Sequence, residues 1–459
     1  MEAFVGYCGR GVGQSVPMSA GKTSLTAALM GSVEASLDGD IEHVAPESAE
    51  GRASTPARGN HEAPYAVARR RCGIRCFGST IFRSLTTVIF SAKLNVLLPL
   101  GPAAIVVKEL WGKQGLVFIL SLLGLVPMAE RLGYVTEQLS FFTGDAVGSL
   151  LNCTFGNAPE LIISIFALRN GLLRIVQQSL LGSVLSNMLL VLGFSFFSGG
   201  IVSKKAQTFD KESAVMNSGM LLMAVMSLLF PAVLHYTRTE ANFGRSELAL
   251  SRFSSCIMLV AYASYLVFQF GSRKTHADHR NEDVIDGEAC PVEEEVADIS
   301  EWEAIIWLAI FTVWISITSD YLVGAIEGAA EEWNMPISFI SVIMLPVIGN
   351  APEHATAIMF AMKDKIDLTL GIAIGSATQI CMLGIPVAVL VGWIMGQPVD
   401  LNFQLFETSA LFMTVLVVAI LLQGTSNHCK GMLLVLCYAI LAASFYVHVD
   451  APSTSENSA

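Results

Sequence analysis

One pentapeptide, Gly-Asn-Ala-Pro-Glu, occurs twice in this chain and limits the folds that the chain can adopt. The first copy spans 156–160 and the second spans 349–353. Each copy lies inside a long apolar segment and brings one carboxylate there, Glu160 or Glu353. A carboxylate at the centre of a membrane helix costs roughly 2.5 kcal/mol or more. Two matching copies therefore predict that the glutamates face each other and share a cation.

Composition identifies the surroundings of these glutamates as a lipid bilayer. Of 459 residues, 53% are hydrophobic and only 14% are charged, whereas a soluble domain carries about a quarter charged residues. Low charge with repeated apolar runs of about 20 residues predicts a multi-pass membrane protein. Nothing in the sequence suggests nucleic-acid binding, which needs a basic face. The spacing of the nine cysteines predicts neither a disulfide framework nor a zinc site.

The apolar runs predict an all-α polytopic membrane protein with eleven transmembrane helices. The predicted spans are 92–108, 115–129, 144–168, 172–198, 214–235, 248–270, 303–328, 336–361, 366–394, 404–423 and 430–448.

Arginines cluster directly before the first predicted span, at Arg69, Arg70, Arg71, Arg75 and Arg83. The positive-inside rule therefore predicts a cytoplasmic N-terminus, and an odd number of spans puts the C-terminal tail on the other side. Lysines in the predicted cytoplasmic loops agree with this orientation, whereas arginines in two predicted lumenal loops do not. A topology signal is the simpler interpretation of the cluster; an autoregulatory or lipid-binding segment is the alternative.

The two halves of the chain match beyond the pentapeptide. The offset that aligns Asn157 with Asn350 also aligns Gly182-Ser183 with Gly375-Ser376. A slightly shorter offset upstream aligns Glu130 with Asp320 and Glu137 with Glu327. Each matched unit holds five predicted spans, an odd number, so the second unit enters the membrane from the opposite side. The sequence therefore predicts two inverted five-helix repeats and one extra N-terminal helix.

This duplication divides the chain into six segments. They are a flexible cytoplasmic N-terminal tail at 1–90, the extra first helix at 91–113, the first repeat at 114–272, an acidic cytoplasmic linker at 273–301, the second repeat at 302–449 and a C-terminal tail at 450–459. A solvated linker is the simpler interpretation of the acidic segment. The alternative is a helix that attracts cations or regulates the protein.

The pentapeptide has the chemistry of a hard-cation site. Gly and Pro weaken a helix, so Pro159 and Pro352 predict a local break whose freed carbonyl groups can coordinate an ion. The asparagine oxygen lies three residues before the glutamate, near the same helix face. Calcium takes six to eight such oxygen ligands. The predicted ligands are Glu160, Glu353, Asn157 and Asn350.

Four further polar residues follow the pentapeptides within the apolar segments. Ser183 and Ser376 either allow close helix packing beside a glycine or line the ion path. Gln379 lacks a packing explanation, which favours a role in cation binding. His354 follows Glu353 directly and points about 100° away on an ideal helix. It is a candidate for proton relay, and a structural histidine beside the path is the alternative.

Several motifs across 93–447 resemble one transporter family. The quoted stretches are Ala129-Glu130-Arg131-Leu132-Gly133, Thr136-Glu137-Gln138-Leu139, 156–164, 176–183, Leu185-Ser186-Asn187-Met188, 349–357 and Gly375-Ser376-Ala377-Thr378-Gln379. They are similar to the calcium/proton exchangers of the cation/proton exchanger family, in the calcium/cation antiporter superfamily, and most of all to its plant vacuolar branch. Pro159 and Pro352 depart from the residues usual in that family.

The resemblance implies a transporter without a cofactor, not an enzyme. It implies that cytosolic calcium, with manganese or other divalent cations as further substrates, is exchanged for lumenal protons by alternating access at the vacuolar membrane. Glu160, Glu353 and His354 then couple transport to protons. Glu130, Asp320 and Glu327 govern ion entry or gating, or are charges at the membrane interface. Homo-oligomerisation and a regulatory role of the N-terminal tail are left open.

Three other classes of protein compete with this interpretation. A sodium- or potassium-coupled calcium exchanger shares the inverted repeat, but the Glu353-His354 pair and Gln379 resemble the proton-coupled branch. An intramembrane carboxylate protease needs an acid pair that activates water, and the duplicated Asn and Gly-Ser elements suit ion ligation better. A calcium-responsive receptor using the acidic linker leaves the duplication unexplained.

Overall fold

The computed structural model describes residues 83–143, 145–203, 205–240, 245–283 and 297–448. Most of the predicted N-terminal tail, part of the acidic linker and the whole C-terminal tail lie outside these ranges. The described chain is mostly helical. Its α-helices are α1 (Leu100–Trp111), α2 (Gln114–Thr143), α3 (Asp145–Gly156), α4 (Ala158–Arg169), α5 (Leu173–Leu185), α6 (Leu192–Ser203), α7 (Lys211–Thr237), α8 (Arg245–Asp283), α9 (Glu301–Trp333), α10 (Ile337–Phe339), α11 (Leu345–Gly349), α12 (Ala351–Met362), α13 (Ile366–Leu370), α14 (Ser376–Gln379), α15 (Ile385–Met395), α16 (Leu405–Leu421) and α17 (His428–Val447).

Eight helices within the described residues are long and apolar enough to cross a membrane. Helix α4 and the preceding Leu150–Gly156, bent by 49° relative to each other, form a ninth candidate span. Two shorter apolar stretches, Ile337–Gly349 and Leu405–Leu421, fall within the predicted spans at 336–361 and 404–423. The prediction of a helical multi-pass membrane protein is confirmed, and the count of eleven spans stays a prediction.

Two long, interrupted helices form the centre of the molecule. In the apolar stretch of Leu173–Ser203, 83% of the residues are buried, and in that of Ile366–Met395 the share is 67%, against 22% for α17 at the periphery. Wider π-helical turns interrupt both, at Ser186–Val191 in the first and at Gly371–Gly375 and Ile380–Gly384 in the second. Such turns are frequent at functional sites because they redirect side chains.

A glycine allows a close helix crossing at this centre. A Cβ atom on Gly182 would collide with the carbonyl oxygen of Val342, in the π-helical turn Ile340–Met344. Gly375, its counterpart in the second half, has open space at the same position. Close packing therefore explains the glycine of the first Gly-Ser pair and not that of the second.

Helix α2 is longer than its predicted span at 115–129. It continues to Thr143 because one face of its polar second half is also buried: Leu132, Val135 and Leu139 recur at helical spacing. Gln138 on this helix accepts a hydrogen bond from the backbone N–H of Asp298 at 2.7 Å. The polar half of this helix thus contacts a segment that is distant in sequence, which hydropathy alone does not reveal.

The last residues of the predicted N-terminal tail pack against the helices. Residues 83–89 are helical. Ser84 is buried and accepts a hydrogen bond from Trp307 Nε1 at 3.0 Å. The guanidinium of Arg131 donates to the carbonyl of Val88 at 3.3 Å and to Ser91 Oγ at 2.8 Å. This segment therefore docks onto α2 and α9.

A two-residue antiparallel pair joins the loops that follow α6 and α16. Strand β1 (Gln207–Thr208) pairs with β2 (Thr425–Ser426), with Gln207 opposite Ser426. Gln207 Nε2 also donates to the carbonyl of Ala361 and to Asp364 Oδ1, both at 2.8 Å. These contacts tie three loops together on one face of the molecule.

Candidate functional site

The two pentapeptides occupy equivalent places, because each ends one helix and begins the next. Asn157 separates α3 from α4 with φ −112° and ψ 23°. Asn350 separates α11 from α12 with φ −97° and ψ 16°. Glu160 and Glu353 consequently lie in the first turn of α4 and α12. The positive end of a helix dipole favours a carboxylate at this position.

The structure corrects the role expected of the two prolines. Pro159 and Pro352 lie in the first turn of the new helix, not inside a continuous one. Proline is tolerated there because the backbone N–H of the first turn has no partner within the helix. The breaks are at Asn157 and Asn350, and each proline follows the break. The difference from the family's usual residues is therefore compatible with this local fold.

Each asparagine contacts a serine from the other half of the chain. Ser376 Oγ donates to Asn157 Oδ1 at 3.1 Å. Asn350 Nδ2 donates to Ser183 Oγ at 3.4 Å. Asn157 aligns with Asn350, and Ser183 aligns with Ser376. Each half therefore contributes its asparagine to one of the two contacts and its serine to the other. They bring both pentapeptides to one place.

Both glutamates line one cavity of about 910 Å³. Asn157, Asn350, Ser376 and Gln379 also line it. The glutamates are half-buried, and they are close enough for the charge of Glu160 to act on Glu353. Within the described residues, Oε2 of Glu160 and Oε2 of Glu353 each have no hydrogen-bond partner. The site thus presents carboxylate and amide oxygens with free acceptor capacity, which is what a hard cation needs.

Four of the other predicted site residues, Ser183, His354, Asp320 and Glu327, lie outside this cavity. Ser183 lines a small neighbouring void of about 20 Å³ together with Glu160 and Asn350. His354 is buried and does not line the cavity. Asp320 and Glu327 are exposed on α9, and Glu327 lines a different cavity of about 680 Å³.

The large cavity opens on the face of the molecule that holds the paired loops. Its lining reaches exposed Asp210, before α7, and exposed Leu368, on α13. Of the predicted gating residues, Glu130 lines this cavity, and it forms an ion pair with Arg131. The mouth is acidic, since Glu137, Asp210 and Asp367 also line it. Sequence reasoning missed Asp210 and Asp367, which are ordinary loop and helix-end acids in the linear sequence.

Asn187 is another polar residue at the site that was not predicted as a ligand. It is 1% exposed within the first central helix, and its Nδ2 donates to Ser376 Oγ at 3.2 Å. A buried amide in an apolar segment is itself a signal of function. Asn187 has no amide counterpart in the second half, where the alignment puts Ile380, so it is not marked by duplication.

The opposite face of the molecule is closed by polar contacts. Arg174, in the first turn of α5, forms an ion pair of 2.6 Å with Glu407 at the start of α16. Gln178 Nε2 donates to the same carboxylate at 3.1 Å, and Gln177 Nε2 donates to Asp400 Oδ1 at 3.0 Å. The central helix that begins at Leu173 ends at Ser203, so these contacts lie about 45 Å from the loops around the mouth.

Asp400 belongs to the loop between α15 and α16. Burial, and then the negative charge of Glu247, raises the pKa of its carboxyl group from 3.8 to about 6. Hydrogen bonds from the Asn402 backbone and from Gln177 act in the other direction and stabilise the ionised form. Asp400 is therefore a titratable group in the closed face of the molecule.

Comparison with known proteins identifies the family. The sequence model described as sodium/calcium exchanger protein matches residues 113–271 and 303–447. Vacuolar cation/proton exchanger 3 of Oryza sativa subsp. japonica is 60% identical over 382 residues, covering 83% of this chain and 92% of that protein. Vacuolar cation/proton exchanger 5 of Arabidopsis thaliana is 56% identical over 438 residues, covering 94% of this chain and 98% of that protein.

A solved structure is similar in fold as well as in sequence. The Ca²⁺/H⁺ antiporter protein YfkE is 33% identical, with a TM-score of 0.64 over 77% of this chain and 99% of the YfkE chain. The chain belongs to the sodium/calcium exchanger protein family. The resemblance to the plant vacuolar cation/proton exchangers, predicted from the motifs, is confirmed.

Proposed function

We propose that this protein is a secondary active antiporter of the vacuolar membrane that exchanges cytosolic Ca²⁺ for lumenal H⁺. One observation carries the proposal: Glu160 and Glu353, from two copies of one pentapeptide, line a single cavity. The similarity to plant vacuolar cation/proton exchangers and to a Ca²⁺/H⁺ antiporter protein supports the substrates and the membrane. Manganese and other divalent cations are further substrates of the same hard site.

Competition at the two carboxylates couples the fluxes. Two ionised glutamates bind one divalent cation with charge balance. Two protons neutralise the same pair and remove the attraction, so the cation leaves. From the neutral cytoplasm calcium displaces protons, and from the acidic lumen protons displace calcium. The buried imidazole of His354, next to Glu353, is the candidate for relaying protons between this pair and the lumen.

The proposed architecture is two inverted five-helix repeats, 114–272 and 302–449, with an extra helix at 91–113 and eleven spans in all. The reciprocal bonds of Asn157 with Ser376 and of Asn350 with Ser183 support this architecture, because symmetry-related halves that face each other make each contact twice. Inverted repeats of this kind hold their substrate near the membrane midplane between the repeats. The acidic linker at 273–301 and the tails at 1–90 and 450–459 lie outside the repeats.

The open mouth of the cavity is proposed to face the cytoplasm. The mouth lies beside the loops that follow α6 and α12, which contain Lys205, Lys363 and Lys365, and lysine-rich loops are retained on the cytoplasmic side. Glu130 and the other acids at the mouth attract calcium from that side. Alternating access then opens the face closed by Arg174 and Glu407. Glu327 and Asp320, the repeat partners of Glu137 and Glu130, are proposed to serve ions on that face.

Uptake of calcium into vesicles tests the coupling ion. The purified protein is reconstituted into vesicles with an acidic interior, and calcium uptake is followed with and without a protonophore. The expected result is uptake that stops when the proton gradient collapses. Uptake that ignores the proton gradient and follows an imposed sodium or potassium gradient would instead establish the other class of calcium exchanger.

A further inference from the structure

A second group of metal-ligating side chains lies far from the cavity. His235, in the last turn of α7, Glu240, in the connection to α8, and Glu247, in the first turn of α8, offer one ligand atom each, and these atoms lie within 4.8 Å of one another. Asn217, which lines the cavity, is on the same helix as His235 and about 27 Å away along its axis. The two groups are therefore separate sites at opposite ends of α7.

The distances within this group are those of a metal site that needs little adjustment. His235 Nδ1 lies 2.8 Å from Glu247 Oε2 and 3.9 Å from Glu240 Oε1. A tetrahedral ion with bonds of about 2.0–2.2 Å to nitrogen and oxygen separates its ligand atoms by about 3.4 Å. The two observed distances lie on either side of this value. Shifts of about half an ångström would therefore admit an ion between the imidazole and both carboxylates.

Burial and unused acceptor capacity point to a ligand. Glu247 is only 3% exposed, and within the described part of the chain its Oε1 accepts no hydrogen bond. The Glu240 side chain is 1% exposed, whereas His235 is 46% exposed and gives access from solvent. Asp400 adds a further carboxyl group nearby, since the charge of Glu247 acts on it. Buried carboxylates gathered around one imidazole nitrogen are expensive without a cation to balance them.

We propose that His235, Glu240 and Glu247 bind a divalent transition metal of the zinc class. An imidazole nitrogen with two carboxylates suits zinc and its neighbours, whereas calcium prefers a shell made only of oxygens. Three protein ligands leave the fourth position to water. A bound ion would cross-link the end of α7 to the start of α8, beside the contact of Gln177 with Asp400 that helps to close this face. Without metal, the same residues form only a hydrogen-bonded clasp between the two helices.

Zinc titration of the full-length protein distinguishes a metal site from a clasp. The protein is placed in lipid nanodiscs with Glu160→Gln and Glu353→Gln, which removes the two carboxylates of the proposed transport site. Isothermal titration with Zn²⁺ is expected to give one ion per chain. Adding His235→Gln or Glu247→Gln is expected to weaken binding at least tenfold. His428→Gln, which changes an exposed histidine at the other end of the molecule, is the matched control and leaves the affinity unchanged.

Two further readings separate lost binding from lost folding. Zinc is expected to raise the melting temperature of the parent and not that of folded His235→Gln, whose half-exposed side chain is replaceable without disturbing the core. X-ray absorption at the zinc edge is expected to show one imidazole ligand in the parent. The proposal is overturned if the parent binds no zinc, or if both His235→Gln and Glu247→Gln keep its stoichiometry and its affinity within twofold.

Discussion

Asn157 and Asn350 each have two structural roles at the site. Each asparagine ends a helix with its backbone, and its side chain reaches a serine of the opposite half. The bond from Ser376 to Asn157 fixes the amide with its oxygen engaged, and Ser376 itself accepts from Asn187. These serines therefore position the two amide side chains that line the cavity together with the glutamates.

Removing the hydroxyl of Ser376 is expected to weaken calcium binding without preventing transport. Ser376→Ala deletes the hydrogen bond to Asn157, and one such bond contributes about 1 kcal/mol. The calcium concentration for half-maximal uptake is expected to rise about fivefold, measured in proton-loaded vesicles. Ser444→Ala is the control, because Ser444 lies on the peripheral helix α17 and its hydroxyl donates to the carbonyl of Ile440 on the same helix. An unchanged concentration in Ser376→Ala would refute the positioning role.

Asp400 is expected to make stability depend on pH in an unusual direction. Its pKa is raised in the folded protein, so the fold holds a proton that the unfolded chain has already released between about pH 4 and 6. Stability supplied by this group is therefore present below pH 4 and is lost as pH rises to about 6, by up to about 3 kcal/mol. Asp400→Asn keeps an oxygen acceptor for Gln177 and cannot ionise.

The measurement is the difference in thermal stability between Asp400→Asn and the parent across this range. Taking the difference cancels the titration of other carboxyl groups. The variant is expected to gain stability relative to the parent between pH 4 and 6 and to keep that gain at pH 7. A difference that is flat with pH would contradict the raised pKa.

One of the contacts that close this face is the ion pair between α5 and α16. Glu407 is fully buried, and Arg174 is 32% exposed. Replacing the arginine leaves a buried carboxylate without its cation, which costs about 3 kcal/mol or more. Arg174→Met is therefore expected to lower the melting temperature in detergent.

A second substitution separates charge from packing in this pair. Glu407→Gln added to Arg174→Met removes the buried charge and is expected to restore part of the lost stability. Arg169→Met, at an exposed position in the last turn of α4, is the control. An Arg174→Met variant with the same melting temperature as the parent would show that the pair does not stabilise this face.

At the level of helices, hydropathy predicted where the apolar segments lie and missed what polar packing adds to them. It could not reveal that α2 continues to Thr143 or that 83–89 is helical, because both depend on partners far away in sequence, such as Asp298 and Trp307. The breaks at the pentapeptides were predictable from their glycines and prolines. That the asparagine is the residue at the break was not predictable, because a proline can lie either at the break itself or in the first turn of the helix that follows.

At the level of the whole molecule, duplication made the central site predictable. Residues that occur in both halves can be recognised within a single sequence, which is why Glu160, Glu353 and the two asparagines were predicted as ligands. Unrepeated contacts carry no such signal: Arg174 meets Glu407 and Gln177 meets Asp400 only because the fold joins distant segments. The same holds for the cluster of His235, Glu240 and Glu247. The side of the membrane to which the cavity opens could not be predicted from the sequence either, because the two halves carry related motifs and are predicted to be inverted relative to each other.

The central claim is that the two halves contribute one glutamate each to a single calcium site. Radioactive calcium uptake driven by an acidic vesicle interior tests it in Glu160→Gln, in Glu353→Gln and in the control Glu212→Gln, an exposed carboxylate in the first turn of α7. Each carboxylate is worth up to about 3 kcal/mol toward the cation, so each single loss should reduce uptake about a hundredfold. The account predicts that both site variants fail alike while Glu212→Gln transports normally. Substantial uptake by either site variant, inserted as well as the parent, would contradict a shared site.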